Sequence, residues 1–366
     1  MTLSGPLASH NKQLLKSKNC QSTYRMKYFL LYFLLAAPGF SATCQDLHFS
    51  QFNEMPLLRN PALAGNFNGQ CRALLAYRNQ WQSISVPYKT MAVGAEFKLY
   101  GGQCIDNNFT LTGGIQYVRD EAGDSKLTRN MYLLSLTSRK QLTDNLYASA
   151  AFVGGPVTSN FNFSGLKWSD QYVNGQYQPT NPTLQPVPGS GRNYFDLGWG
   201  VSMGGNDYNL QWYTGYGRYH DNKPKVGFGN NNNDLSVLPV RQSLNAGLGI
   251  KRNETEMVNF YADFLWQGSQ HQFFAGALYK WEWVNETGAD GDGKSFSVGA
   301  FYRLNDAIVP VINIQLRKFT AGLSYDVNIS RLSAASQYQG GFELTFKFRG
   351  VVFGDTEDCG KTGCFN

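Results

Sequence analysis

Apolar and polar residues alternate along most of this chain. Near position 95, Met91, Val93, Ala95, Phe97 and Leu99 occupy every second position, with mostly polar or small residues between them. Because successive side chains of a β-strand point to opposite faces, such a segment has one apolar and one polar face. The pattern recurs in fourteen segments, which we predict to be strands at about 71–78, 87–100, 107–120, 125–138, 143–155, 193–204, 207–217, 241–251, 256–267, 271–283, 294–303, 308–317, 319–328 and 338–348.

Strands with one lipid-compatible face and one polar face are typical of membrane barrels with a wet lumen. If the first strand starts in the periplasm, the two longest connections, 156–192 and 218–240, both lie outside the cell, and most periplasmic turns are short. We therefore predict an all-β fold, a transmembrane antiparallel outer-membrane β-barrel of about 14 strands. A soluble β-sandwich also alternates, but fourteen strands would need two domains joined by a linker, and no linker is visible.

The first 44 residues have the features of an export signal. An apolar run at 28–37 follows Arg25 and Lys27, and small residues come after it. The run is too short to span a bilayer, and this order is that of a cleaved signal peptide. Ala42 and Cys44 fit the positions before a cleavage site, so the mature chain is predicted to begin at residue 45. The predicted parts are an N-terminal extension and signal peptide (1–44), a periplasmic N-terminal segment (45–70), the β-barrel (71–348) and a periplasmic C-terminal tail (349–366).

The net charge of +6 comes mostly from the predicted leader. Residues 1–44 hold five of the 32 Lys and Arg residues and none of the 26 acids, which leaves 27 bases against 26 acids, a net charge of +1. A basic nucleic-acid footprint disappears with the leader, so no nucleic-acid partner is expected.

Four cysteines remain after the leader, at Cys71, Cys104, Cys359 and Cys364. Exported proteins meet an oxidising compartment, and the mature chain has only three histidines to share a metal site. We therefore favour disulfides over a metal. The strand order brings Cys71, at the start of the first strand, near Cys104, just after the second.

Motifs of catalysis are weak throughout. The chain has no GxSxG turn, no HExxH helix and no phosphate-binding glycine loop, and no nucleophile stands beside a base. We expect no enzyme activity, no catalytic residue, no metal and no cofactor.

Charged residues on the polar faces are expected to point into the lumen, because a charge facing lipid near the midplane costs about 2–4 kcal/mol. By strand parity these inward charges are Glu96, Lys98, Asp196, Asp263, Arg303, Asp326, Glu343 and Lys347. Arg303, Asp326 and Glu343 lie on strands close enough for an ion-pair network across the lumen. Structural pairing explains such a network better than a transport role does.

The predicted external loop 156–192 is rich in aromatic residues. It offers Phe161, Phe163, Trp168, Tyr172 and Tyr177 among Asn, Gln, Gly and Pro. Exposed aromatics of this kind can anchor a partner protein, and a long loop can equally fold back and plug the lumen. Both hypotheses remain open from the sequence.

Several short motifs occur along the chain in a characteristic order and spacing. They are Phe49-Ser50-Gln51-Phe52, Asn60-Pro61-Ala62-Leu63-Ala64-Gly65, Tyr77-Arg78-Asn79-Gln80-Trp81, Leu238-Pro239-Val240-Arg241, Tyr302-Arg303, Asp306-Ala307-Ile308-Val309-Pro310, Ser324-Tyr325-Asp326-Val327-Asn328 and Gly341-Phe342-Glu343. Together these motifs resemble the PorP/SprF family of outer-membrane proteins of Bacteroidetes. The resemblance covers nearly the whole mature chain. Each motif alone is weak, and the C-terminal block is the most specific.

The resemblance implies a barrel of the bacterial outer membrane that works with type IX protein secretion. Family members assist the export or surface attachment of large adhesin-like proteins, in gliding bacteria among others. The implied partners are outer-membrane lipid, type IX secretion components and a secreted surface protein. Residues 156–192 and 229–234 diverge from the family, so they do not identify that protein. A passive porin or small-molecule transporter is the alternative.

Overall fold

The computed structural model of the protein describes residues 46–82, 86–101, 108–162, 166–184, 191–227, 236–283, 293–331 and 333–350. All of them belong to one compact unit, Gln45–Asn366. Nothing is described of the predicted leader or of the tail after residue 350.

Fourteen antiparallel strands close into a barrel, which confirms the predicted fold class. The strands are β1 (Cys71–Gln80), β2 (Tyr88–Tyr100), β3 (Phe109–Ala122), β4 (Leu127–Thr143), β5 (Leu146–Asn160), β8 (Gly191–Asn206), β9 (Leu210–Tyr219), β10 (Arg241–Lys251), β11 (Glu256–Gln267), β12 (Gln270–Glu282), β13 (Lys294–Arg303), β14 (Ala307–Leu316), β15 (Phe319–Asn328) and β16 (Gln339–Gly350). A two-stranded hairpin, β6 (Tyr172–Val173) with β7 (Gln176–Tyr177), lies outside the barrel sheet. The first strand pairs with the last, so the barrel sheet has no free edge.

Two ends of the barrel differ in their connections. At one, the long-loop end, lie the intervals 161–190 and 220–240, and at the other, the short-turn end, most connections are short. In outer-membrane barrels the long loops face outward, which sets the orientation. Both long intervals are shorter than predicted. β5 and β8 extend into the first of them, and β9 extends into the second as far as Tyr219.

The longest strands have bounds that the alternation did not predict. Residues 139–142 were expected to turn but belong to β4, which continues to Thr143. β5 then runs from Leu146 to Asn160 and includes Gly154, Gly155 and Pro156. Turn-forming residue types therefore lie within a strand here, because neighbouring strands fix the backbone.

Proline interrupts the ladder at two places without changing its register. Pro310 lies in β14, and the β14–β15 pairing omits Val309 and Pro310 but resumes in the same register at Val311. Pro156 has the same effect between β4 and β5, where the pairing of Tyr132 and Leu133 is omitted. The missing N–H of proline removes a ladder bond, and no bulge accompanies it here.

Outward faces of the strands are mostly apolar, whereas inward faces mix polar and small residues with buried apolar ones such as Val118 and Phe301. Exposed side chains such as Leu134, Phe152 and Leu244 alternate with buried ones such as Asp196, Ser243 and Asn245. All eight predicted inward charges lie on the luminal side of this alternation. No helix in the described part of the chain is long and apolar enough to cross a membrane.

The segment before β1 is not a separate periplasmic element, as the sequence had led us to expect for residues 45–70. It contains a 3-10 turn at Phe52–Glu54, helix α1 (Pro56–Arg59) and a second 3-10 turn at Pro61–Leu63. Most of its side chains between Phe49 and Phe67 are buried. Short, proline-bounded turns bury so much surface only where a surrounding wall covers them, and here that wall is the barrel. We call residues 46–70 the plug segment.

Candidate functional site

The plug segment runs through the lumen from the long-loop end to the short-turn end. Asp46 contacts residues near the long-loop ends of β4 and β10. At its other end, the backbone N–H of Gln70 donates to the carbonyl of Gly350 at 2.9 Å, where β16 finishes. The segment therefore traverses the barrel before the chain enters β1.

Asp46 anchors the start of the plug segment in a basic pocket. Its carboxylate lies 2.6 Å from Arg129 Nη1 and 2.9 Å from Arg241 Nη1, and its backbone N–H donates to Gln267 at 3.0 Å. Burial raises the pKa of this carboxyl, but Arg129, Arg241 and His220 outweigh it and hold the pKa well below the usual range. The carboxylate is thus charged over the physiological range.

His220 joins the same pocket from the loop after β9. Its Nδ1 lies 2.8 Å from Asp196 Oδ1 and its Nε2 lies 3.2 Å from Asp46 Oδ2. Since each ring nitrogen faces a carboxylate, both nitrogens donate when the ring is protonated. Burial lowers the pKa of His220, but the hydrogen bonds to Asp196 and Asp46 raise it above the ordinary value overall. His220 therefore connects the plug segment to β8 through two carboxylates.

The predicted network on β13, β15 and β16 also binds the plug segment. Arg303 Nη2 donates to Asp326 at 3.0 Å, and Asp326 accepts from the Ser50 hydroxyl at 2.5 Å. Glu343 does not pair with Arg303. It accepts instead from the backbone N–H of Ser50 at 2.6 Å and of Gln51 at 2.8 Å.

Arg78, on β1, was absent from that prediction and lies at the centre of the network. Its Nη2 donates to Asp326 at 2.7 Å, its Nε is 4.0 Å from Glu343, and its Nη1 donates to the carbonyl of His48. The guanidinium thus links two strand carboxylates to the plug backbone. These contacts lie where β1 pairs with β16, and they link both the strand wall and the plug segment to one guanidinium.

Arg59, on α1, reaches the opposite wall. Its Nε and Nη2 donate to the two oxygens of Asp263 at 2.6 and 2.5 Å, and its Nη1 donates to the Tyr213 hydroxyl at 3.0 Å. Two parallel bonds between a guanidinium and a carboxylate are strong and fix the geometry of both groups. The pair is almost fully buried, so α1 is held firmly against β9 and β11.

One ion pair and two hydrogen bonds to the plug backbone hold this segment near the short-turn end. Glu54 accepts from Lys347 Nζ at 2.6 Å. The backbone N–H of Gly65 donates to Glu96 at 2.9 Å, and Arg72 also donates to this carboxylate at 2.8 Å. Lys98 Nζ donates to the carbonyl of Phe67 at 2.7 Å.

Apolar packing fills the space between these polar contacts. Phe49, Met55 and Leu58 pack with inward residues of β1–β5 such as Val118. Phe52 packs on the other wall, with its ring 4.9 Å from the ring of Phe301. The plug segment therefore joins two apolar clusters on opposite sides of the lumen, and the lumen is filled.

The sequence matches one family model over residues 41–348, that of the type IX secretion system membrane protein PorP/SprF. The chain belongs to the PorP/SprF family. Together with the closed barrel, this identifies a membrane protein of the type IX secretion system that resides in the bacterial outer membrane.

Other comparisons add little to the family assignment. No curated protein matches the chain. A FadL homologue from Pseudomonas aeruginosa is similar in structure, with a TM-score of 0.46 and 8% identity over 79% of this chain and 92% of its own. The P. putida toluene transporter TodX has a TM-score of 0.40 and 11% sequence identity, over 79% of this chain and 90% of its own. The Acinetobacter baumannii outer membrane protein Omp33 has a TM-score of 0.38 and 9% sequence identity, over 77% of this chain and 98% of its own. At these values the similarity carries no information about function.

The described part of the external loop of this PorP/SprF protein, residues 166–184, is mostly exposed. Tyr172 and Tyr177 lie on the β6–β7 hairpin with ring centroids 5.6 Å apart, and Tyr172 is exposed. Phe161 and Trp168 are half-buried. Phe163 lies outside the described residues.

Of the four cysteines in the predicted disulfides, Cys71 lies in the described part of the chain. Cys71 is buried at the start of β1, with Sγ 3.5 Å from the Gly350 carbonyl oxygen. Cys104, Cys359 and Cys364 lie outside the described part. Over the described ranges, no three His, Cys, Asp or Glu side chains are grouped to hold a metal ion.

The plug contacts were missed because the segment lacks periodicity, but the sequence held one usable signal. Among the eight predicted inward charges, five are acids and three are bases. A buried carboxylate needs a cationic or hydrogen-bonding partner. Arg59 stands within an otherwise apolar stretch before β1, and pairing it with an unmatched inward acid would have placed the segment inside the barrel.

Proposed function

We propose that this PorP/SprF protein is a closed docking barrel, which binds a secreted surface protein at its external loops and conducts no solute itself. The observation that carries the proposal is the filled lumen. Ion pairs hold the plug segment at Asp46, Glu54 and Arg59. Hydrogen bonds at Gly65 and Gln70 hold its other end. A barrel so occupied is suited to present surfaces rather than to pass molecules, and we assign it no catalytic role.

The aromatic loop is the proposed contact surface for the partner. Trp168, Tyr172 and Tyr177 lie on the long connection between β5 and β8, at the end expected to face out of the cell. Tyr and Trp supply large contact areas at low entropic cost and are enriched among residues that dominate binding energy. The hairpin β6–β7 holds two of them in a fixed arrangement.

Deletion of the gene, followed by comparison of the secreted and surface-bound proteins, tests the docking role. We expect one surface protein to be lost or released into the medium, and wild-type chain supplied in trans to restore it. Trp168→Ala with Tyr172→Ala and Tyr177→Ala should reproduce that loss while the barrel remains folded. Tyr208→Ala, at an exposed aromatic on the short-turn end, is the matched control. Unchanged secretion with impaired solute uptake would instead support a porin and reject the docking role.

A further inference from the structure

A groove of about 460 Å³ lies on the outer wall of the barrel, across β4, β5 and β8. It exists because Gly154 has no side chain where its neighbours Leu134, Phe152, Leu197 and Trp199 project outward. A Cβ at Gly154 would lie 2.8 Å from Leu197 Cδ2, so this position has no room for one without movement. Large apolar side chains therefore bound the groove, and Leu197 packs closely against Gly154.

One end of the groove is closed by the turn after β9. β9 stops at Tyr219 while β8 continues to Gly191, so part of the β8 edge is left without a strand partner. The backbone N–H of Asp221 donates to the Leu197 carbonyl at 3.0 Å, and Asn222 Nδ2 donates to the Phe195 carbonyl at 2.7 Å. These bonds place the side chains of Asp221 and Asn222 beside the apolar surface that faces lipid.

Charged groups therefore lie next to apolar residues that face the bilayer. Arg218 Nε donates to Asp221 Oδ1 at 2.5 Å, and the Trp199 indole N–H donates to Asp221 Oδ2 at 3.2 Å. The Arg218 and Asp221 side chains remain 31% and 37% exposed. Charges on the lipid face are unfavourable unless polar headgroups or water solvate them. An amphiphile with its polar group here would satisfy both ends of the site.

We infer that this groove binds one membrane lipid with a phosphorylated headgroup. An acyl chain lies between Leu134, Phe152 and Leu197, and the phosphate lies beside Arg218. Arginine suits this role because its planar guanidinium offers further donors after pairing with Asp221. Occupation by lipid follows from the position of the groove on the membrane-facing surface. The site is separate from the proposed aromatic contact surface, because it lies on the outer wall and not on the connection between β5 and β8.

Native mass spectrometry of the full barrel in detergent tests the site. The probes are phosphatidylglycerol, phosphatidylethanolamine, lipid A and an uncharged diacylglycerol. The wild-type barrel should retain one phosphorylated lipid and much less diacylglycerol, and the tightest of the three phosphorylated probes identifies the headgroup. Leu134→Trp fills the groove and should weaken retention about tenfold by excluding part of the acyl chain. Arg218→Gln should remove the preference for phosphorylated lipids over diacylglycerol.

Each variant has a matched control on the same type of surface. Leu136→Trp adds the same side chain two residues along β4, at an exposed position that does not line the groove. Arg119→Gln removes an exposed arginine that pairs with Glu121 on β3. Heat-modifiable migration on gels reports that all variants are folded. Equal retention by Leu134→Trp and Leu136→Trp would overturn the proposal, and so would a copurified protein that occupies this face in place of lipid.

Discussion

At the scale of single residues, buried charge pairs hold the plug segment in the barrel. Arg59 and Asp263 form two hydrogen bonds while almost fully shielded from solvent. Removing one member of such a pair leaves the other buried without its partner, whereas replacing both removes the desolvation penalty as well. The effect of a double replacement is therefore expected to be smaller than the sum of the single ones.

Arg59→Met should destabilise the barrel by about 3 kcal/mol, because it leaves the Asp263 carboxylate buried and unpaired. The double variant Arg59→Met with Asp263→Leu should recover part of that loss. Unfolding of the purified barrel in urea, followed by gel mobility, measures both. A double variant as unstable as the two single effects added together would show that the residues act independently.

His220 makes the anchoring of Asp46 dependent on pH. A raised folded-state pKa means that the stabilisation is complete below the unfolded value of about 6.5 and is lost as pH rises through the folded value. Asp46 has a lowered pKa, so its charge persists over this range. The melting temperature should therefore fall between neutral and alkaline pH.

His220→Gln should reduce this fall in melting temperature, since the glutamine amide can keep a hydrogen bond but does not titrate in this pH range. His271→Gln is the control, because His271 is exposed and stacks on Phe264. Thermal scans at several pH values above 6 compare the two variants with the wild-type barrel. A slope in His220→Gln equal to that of wild type would exclude His220 as the titrating group.

At the scale of elements, the plug segment behaves as an internal core for a sheet that would otherwise have none. A single-walled barrel buries its inward face only against what fills the lumen. Phe52 packs against Phe274 and Phe301, and Phe49 packs on the other wall. The α1 helix and its two flanking turns are too short to be stable alone, and tertiary packing maintains them.

Phe52→Ala should destabilise the barrel by about 3–5 kcal/mol through loss of buried area and the cavity that remains. Phe260→Ala removes the same side chain from the lipid-facing wall, where Phe260 is 44% exposed. Its effect should be much smaller when both variants are unfolded in the same detergent. Equal losses of stability would indicate that the plug segment contributes no core packing.

The strands could be predicted from sequence because their signal is local. A period of two appears wherever one face meets lipid and the other a filled lumen, so the bounds of β11, β13 and β15 agree with the predicted ones. The end of β4 could not be predicted this way, because the partner strand decides where pairing stops. The position of the plug segment could not be predicted from local pattern either, because its turns pack on walls formed by residues up to 294 positions later.

At the scale of the whole molecule, the filled lumen separates this barrel from an open pore. Contacts at Asp46, Arg59 and Glu54 connect the plug segment to widely spaced strands. Opening a path for solute would require breaking several of them together. The protein is therefore expected to remain closed in a bilayer without a further signal.

Purified wild-type protein should give little steady conductance in planar bilayers. Combining Asp46→Asn, Arg59→Gln and Glu343→Gln should produce frequent openings, because the backbone and side-chain anchors of the plug segment are weakened at three places. Combining Arg119→Gln with Asp221→Asn on the outer surface is the control and should leave the barrel closed. A large wild-type conductance would contradict the closed barrel.

The joint between Gln70 and Gly350 has a consequence for biogenesis. The plug segment precedes every strand, so it leaves the ribosome and reaches the envelope before the wall that encloses it. Because β1 follows the plug segment and pairs with β16, closure of the barrel brings its first and last strands together beside the end of that segment. We therefore expect the plug segment to act as a template for the pairing of these two strands.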